Sequence, residues 1–407
     1  MTRWLAIVGV GEDGIAGLDA DARGLIEKAE LLVGGERHLA MVPAGSAARF
    51  TWERPLSRTV ERIAAWRGRR VVVLATGDPM WYGVGVTLSR RFARDELVVL
   101  PQHGAFSLAA ARLAWPLAEC ATLTLHGRPL DRLRRHLAPG ERILVLSEDG
   151  ATPEAVASLL AAEGWGASLV TVLEHLGGGQ ERIATETADS WSAARCADLN
   201  TVAIECRAGP EARVLSPAPG LPDDVFAHDG QLTKREVRAV TLSALAPRQG
   251  EMLWDVGLGA GSIAIEWLLR HPSLKAIGIE AGAERAARAA RNAAALGTPD
   301  LRIVQGRAPA ALQDLPKPDA AFIGGGLGEA GLFEAVWSAL KPGGRMVANA
   351  VSLASEARLI DYFQCLGGEL VRLEVARAGK AGTGKDAGGV FVWRPAAPII
   401  QWRARKP

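Results

Sequence analysis

The chain has 407 residues, 48% hydrophobic and 23% charged, with a net charge of +2. That length exceeds one average core and points to two domains. The near-zero balance argues against the basic field of a dedicated nucleic-acid binder. Four cysteines, Cys120, Cys196, Cys206 and Cys365, stand far apart without a CxxC pair, so neither a zinc site nor a disulfide framework is indicated.

The N-terminus, MTRWLAIVGVGEDG, runs straight into a strand and a glycine turn, with no h-region of signal-peptide length. No stretch approaches 18 apolar residues. A cytoplasmic protein with no membrane span is expected. LAIVGVG (5–11) reads as a strand ending in glycines, 19–30 as a helix opened by Asp, and 31–35 as a short strand. VVVLATGDP (71–79) is a buried-type strand broken by Gly-Asp-Pro. Residues 96–102, 121–128 and 142–150 read as strands. Residues 152–164 carry Pro in the first turn and a closing Gly, the usual punctuation of a helix. Residues 168–182 read as strand then loop, and 200–207 as the strand that closes the segment. The alternation is α/β. Four prolines in 208–230 mark a boundary, giving domains at 1–208 and 231–407 joined by a linker at 209–230. QLTKREVRAVTLSALAP (231–247) reads as a helix with Thr233 as N-cap and Glu236 completing a capping box. Strands and helices then alternate down to GGVFVWRP, a doubly wound pattern with an antiparallel tail.

The run LWDVGLGAGSIAIEW (253–267) carries the clearest chemistry. Gly257, Gly259 and Gly261 allow a sharp turn and bring backbone N–H groups close to a ligand at a helix N-terminus. The spacing is GxGxG, not the GxGxxG of dinucleotide sites. Asp255 precedes the loop, and Glu280 ends the next strand, where an acidic side chain meets ribose hydroxyls in nucleotide-binding α/β folds. LKPGGRMVANAV (340–351) follows two βα units later. Together these resemble the class I (Rossmann-like) S-adenosylmethionine (SAM) methyltransferases. With QLTKREVRAVTL, VQGRAPAAL (304–312) and FIGGGLGE (322–329), the match is to their CbiT-like, corrin-ring branch. The resemblance implies cofactor contact at Thr233, Gly257, Leu258, Gly259, Ala260, Gly261, Glu280 and Ala308. Leu258, Ala260 and Arg307 stand where that branch commonly has Cys, Thr and Asp, so it implies no adenine contact by Arg307. His228, Lys234, Glu236 and Arg238 fall near the entrance of that fold, where a solvated first helical turn is an equal reading.

Upstream, VGVGEDG (8–14), LLVGGERHL (31–39), VVLATGDPMWYGVG (72–85), HGAFSLAAARLAWP (103–116) and TLTLHGR (122–128) are glycine-rich strand ends. Such loops gather at one edge of a parallel sheet. As a set they resemble the CbiE-like branch of the tetrapyrrole methylase family, a two-lobed fold that also binds SAM. This resemblance implies cofactor contact at Gly9, Gly11, Gly77, Asp78, Pro79 and Ser107, with Leu125–Gly127 lining the same trough. His103 departs from that family's pattern and is given no role. The fusion resembles the decarboxylating corrin-ring methyltransferases that act at C5 and C15. It implies two SAM sites, a precorrin-type substrate, loss of CO2 from the C12 acetate and homo-oligomers, with no metal, nucleic acid or membrane. The N-terminal domain is expected to methylate C5, the C-terminal one to methylate C15 and decarboxylate. The residues alone leave open a methyltransferase of another tetrapyrrole without decarboxylation, and a non-catalytic SAM-binding subunit.

Overall fold

The computed structural model describes residues 3–192, 195–380 and 391–407, so 388–390 of the expected GGVFVWRP strand lie outside the described residues. The chain forms two compact units, Met1–Leu130 with His136–Val214, and Asp131–Arg135 with Leu215–Pro407. Among the described residues no helix is long and apolar enough to cross a membrane.

In the first unit, β1 (Leu5–Val10), β2 (Leu31–Gly34), β3 (Ala48–Thr51), β4 (Val71–Thr76) and β5 (Leu97–Leu100) form a parallel sheet in the order β3-β2-β4-β1-β5. Its central strands are apolar throughout because both faces are covered. Leu5, Ile7, Val71 and Val73 enter one core, and Ala6, Val8, Val72 and Leu74 the other. This is the two-residue alternation of a pleated strand. The second sheet of this unit joins β6 (Cys120–Thr124), β7 (Arg142–Leu146), β8 (Leu169–Glu174), β9 (Arg182–Thr187) and β10 (Asn200–Glu205) in the order β6-β7-β10-β8-β9. Only β6 and β7 are parallel there. These two sheets are the two lobes.

The second unit contains β11 (Met252–Val256), β12 (Lys275–Glu280), β13 (Arg302–Gln305), β14 (Ala320–Ile323), β15 (Arg345–Ala350), β16 (Glu369–Leu373) and β19 (Ile399–Arg405) in the order β13-β12-β11-β14-β15-β19-β16. The first five are parallel, and β19 runs antiparallel to both neighbours. β17 (Ala376–Lys380) and β18 (Phe391–Pro395) form a separate antiparallel pair. Strand order reverses between β11 and β14, the switch point where open α/β sheets bind ligands.

Three expectations need correction. The stretch 209–230 does not behave as a linker throughout, because its later part packs as core. Leu221 and Phe226 are buried against Leu242, Leu245 and Trp267, so its prolines shape turns in a packed segment. The capping box at Thr233 does not form. Lys234 is the N-cap without a side-chain bond, and Glu236 pairs instead with Arg377 at 2.6 Å. Finally, β19 follows the last strand read from the sequence and lies inside the sheet.

Candidate functional site

A cavity of about 780 Å³ opens at the switch point of the second unit. Gly257, Gly259 and Gly261 have φ of +79°, +56° and +80°, values that side chains with a Cβ rarely adopt. A Cβ on Gly259 would meet nothing closer than Gly257 O at 4.0 Å and would stand in the cavity. Gly261 caps the helix Ser262–Leu269. Glu280 ends β12 beside this loop, 7% exposed. Its Oε2 accepts Gly259 N–H at 2.8 Å and its Oε1 accepts Gly282 N–H at 2.9 Å. Those bonds fix the carboxylate and leave lone pairs for a diol. Open space over Gly259 and a fixed carboxylate beside it suit the adenosine end of SAM.

The other expected positions divide. Thr233, Leu258, Ala260 and Ala308 line the cavity. Thr233 is held through its carbonyl, which accepts from Arg238 Nη1 at 2.5 Å. The Leu258 side chain lies in the core, close under Gly278, so its backbone is what lines the cavity. Asp255 is buried and accepts Ala264 N–H at 3.0 Å. Burial, with the Glu280 charge nearby, pushes its carboxyl up to about 7. Arg238 is not at the entrance. It is fully buried on Glu266 at 2.6 Å, while His228 is exposed and folded on Gly230 N–H.

The rim carries cations that are already paired. Arg285 and Arg288 hold Asp229 at 2.8 and 3.1 Å. The Arg285 side-chain bond, the Gln231 N–H and Arg288 keep that carboxyl far below its ordinary range. Arg307 binds Glu329, and Lys234, Arg377 and Arg394 also line the cavity. Sequence reading missed Asn349, a buried wall residue at the end of β15. Its Nδ2 donates to Thr241 Oγ1 at 3.0 Å and its Oδ1 accepts from Gln401 Nε2 at 2.9 Å.

In the first unit, Gly9 and Gly77 meet across the sheet edge. A Cβ on Gly9 would fall 1.9 Å from Gly77 O, and one on Gly77 2.9 Å from Gly104 Cα. Gly77 N–H donates to Val10 O, and Gly77 O accepts Gln102 N–H, both at 3.1 Å. The ends of β1, β4 and β5 are therefore interlocked. Asp78 Oδ1 accepts Met80 N–H at 2.8 Å, which folds the turn, and Pro79 is buried. Beyond it Met80, Trp81 and Tyr82 are exposed. Ser107 is exposed in the first turn of the helix Ala105–Leu113. Gly11 lies beside Asp13 rather than in the interlock, and Gly127 N–H donates to the Glu148 carboxylate. One polar cluster here escaped the sequence: Glu12, Arg37, His38, Thr76 and His175. GERH directly after β2 was its only signal.

Fold and site thus define a chain of two unlike methyltransferase units. Residues 5–191 match the family of tetrapyrrole (corrin/porphyrin) methylases, and residues 224–406 match the precorrin methyltransferase domain. The chain is 52% identical over 402 residues to a precorrin-6Y C(5,15)-methyltransferase [decarboxylating] of Sinorhizobium sp, covering 98% of this chain and 95% of that one. It belongs to that family of SAM-dependent, decarboxylating corrin-ring methyltransferases. It is also 31% identical over 179 residues to a cobalt-precorrin-7 C(5)-methyltransferase of Salmonella typhimurium, covering 44% of this chain and 88% of that one. Over 171 residues it is 35% identical to a probable cobalt-precorrin-6B C(15)-methyltransferase (decarboxylating) of Pyrobaculum calidifontis, covering 40% of this chain and 87% of that one.

Proposed function

We propose that this chain converts precorrin-6Y by two methylations and one decarboxylation. The first unit acts at C5; the second acts at C15 and releases CO2 from the C12 acetate, and each unit holds its own SAM. The observation that carries this reading is the glycine-built cavity of the second unit together with the glycine interlock at the sheet edge of the first. The two shorter relatives, one named for C(5) methylation and one for C(15) methylation with decarboxylation, each matching about two-fifths of the chain, support the division of labour.

SAM supplies an electrophilic methyl group on a sulfonium. In the second unit, Gly257 to Gly261 would give the adenosyl moiety close backbone approach, Glu280 would accept from its ribose hydroxyls, and Thr233 and Ala308 would border it. In the first unit, Gly9, Gly77, Asp78, Pro79 and Ser107 would form the corresponding cradle, with Gly11 set beside it on Asp13. The meso carbons of the substrate are enamine-like nucleophiles, so the protein's main tasks are in-line alignment and exclusion of water. The rim residues Lys234, Arg377 and Arg394 suit substrate carboxylates. Conjugation of the ring accepts the electrons released with CO2. We place the enzyme in the cytoplasm as a homo-oligomer, without nucleic acid or membrane as partner.

Mass spectrometry of precorrin-6Y incubated with the chain and SAM is the test. The expected product gains two methyl groups and loses CO2. A single methylation or an unchanged mass would overturn the two-site reading.

A further inference from the structure

Replacing a meso C–H by C–CH3 leaves a proton to be removed. The π pair of the meso carbon forms the new bond to the methyl carbon, and the C–S pair stays on sulfur. The carbon then bears both H and CH3 beside a cationic, conjugated nitrogen. The ring is restored only when the C–H pair returns to it and the proton leaves to a base.

The polar cluster of the first unit has the parts for this. Thr76 is exposed and directly precedes the Gly77–Asp78–Pro79 turn. Its Oγ1 lies 3.0 Å from His38 Nε2 and accepts from Arg37 Nη2 at 3.2 Å. Arg37 Nη2 also lies 3.3 Å from His38 Nε2. With Arg37 donating to the hydroxyl oxygen, the hydroxyl hydrogen points to His38 Nε2, which is therefore the accepting nitrogen. His38 Nδ1 is buried without a partner and carries the ring proton in that tautomer. Glu12, from the loop after β1, pairs with Arg37 and binds His175 Nδ1 at 2.9 Å. His175 follows β8 at φ +46°, in the left-handed region where histidine is enriched among side-chain-bearing residues. Glu12 thus ties the edges of both lobes to Arg37. Burial, and then the Arg37 charge, hold the His38 imidazole down to about 4, so it is neutral and able to accept at neutral pH.

We propose that Thr76 and His38 are the proton relay of the C5 methylation, with Glu12, Arg37 and His175 as positioning residues; this rests on the assignment of that reaction to the first unit. Thr76 Oγ1 takes the proton from C5 as its own hydrogen passes to His38 Nε2. The resulting imidazolium, beside Arg37, is a strong acid and returns its proton through Thr76 to water.

The test uses the full chain with Thr76→Val and His38→Gln, precorrin-6Y and SAM. Both variants are expected to bind two SAM per chain in calorimetry, the same number expected of the parent. Both should accumulate the adduct that has gained both methyls and lost CO2 but still carries the C5 hydrogen, its proton loss, read as return of the conjugated chromophore in the visible spectrum, falling about 10²-fold, the size of a general-base contribution. Deuterium at C5 should then slow that step in the variants by a primary isotope effect absent from the parent. Proton loss from C5 at the parental rate would overturn the relay. So would a slowed step without an isotope effect, or loss of one bound SAM, each of which means a structural or cofactor-holding role. Loss of the C15 methyl and of CO2 instead would overturn the assignment of reactions to units, a distinct outcome.

Discussion

Glu280 accepts one N–H from the glycine loop and one from the start of the next helix. Replacing it by Ala strands both donors and removes the proposed ribose acceptor. SAM affinity of the second unit should fall tenfold or more, since losing hydrogen bonds to a charged group costs about 1.5–3 kcal/mol; calorimetry reads this directly. Asp255 has a different consequence. Its carboxyl, ordinarily at 3.8 and here pushed up to about 7, keeps its proton in the folded protein after the unfolded chain has lost it. Stability therefore falls as pH rises from about 4 to about 7. Asp255→Asn keeps an acceptor for Ala264 and should flatten that slope in melting temperatures measured across the window. Both residues were legible in the sequence, because a strand end followed by a glycine turn fixes where they lie. Asn349 and His38 were not. Their positions depend on Thr241, Gln401, Arg37 and Thr76, which no local spacing connects to them.

At the level of elements, the segment before the helix Arg235–Leu245 is bound by one buried ion pair. Arg238 and Glu266 are both 0% exposed. Glu266 also accepts Gly220 N–H at 2.7 Å and Leu221 N–H at 2.9 Å, and Arg238 reaches Asp223 and the carbonyls of Leu221 and Thr233. Arg238→Met strips Glu266 of its countercharge and should destabilise the second unit by about 3 to 5 kcal/mol. Arg238→Met with Glu266→Met should recover part of this in denaturant titrations. The single variant should also weaken SAM binding, because Thr233 loses its anchor. Sequence reading left Arg238 between the entrance of the fold and a solvated turn, since charged side chains are rarely buried without a partner and the partner lies 28 residues away. The strand β19 escaped for a related reason. Gln401 and the arginines around it read as a polar end, whereas Gln401 is 1% exposed and bonded to Thr241 and Asn349.

At the level of the whole molecule, the two cradles predict two SAM per chain. Gly259→Arg would place a long side chain in the cavity and force a left-handed backbone on a residue with a Cβ. One SAM per chain should remain in calorimetry, and C15 methylation with CO2 release should stop. A parent chain that binds only one SAM would remove the first cradle from the account. The alternation of strands and helices, the proline-rich boundary and both glycine loops were readable because each is a local signal. Which strand pairs with which was not, since that depends on residues far apart along the chain.

The place of β19 has a consequence for biosynthesis. The strand lies between β15 and β16, yet it is the last strand of its sheet to be made. Until Ile399–Arg405 clears the ribosome, β15 and β16 each present an unpaired edge open to wrong partners. The first unit waits in the same way for β10, which lies between β7 and β8, but that wait ends at Glu205. During translation it should become protease-resistant well before the second, which acquires resistance only with its final strand.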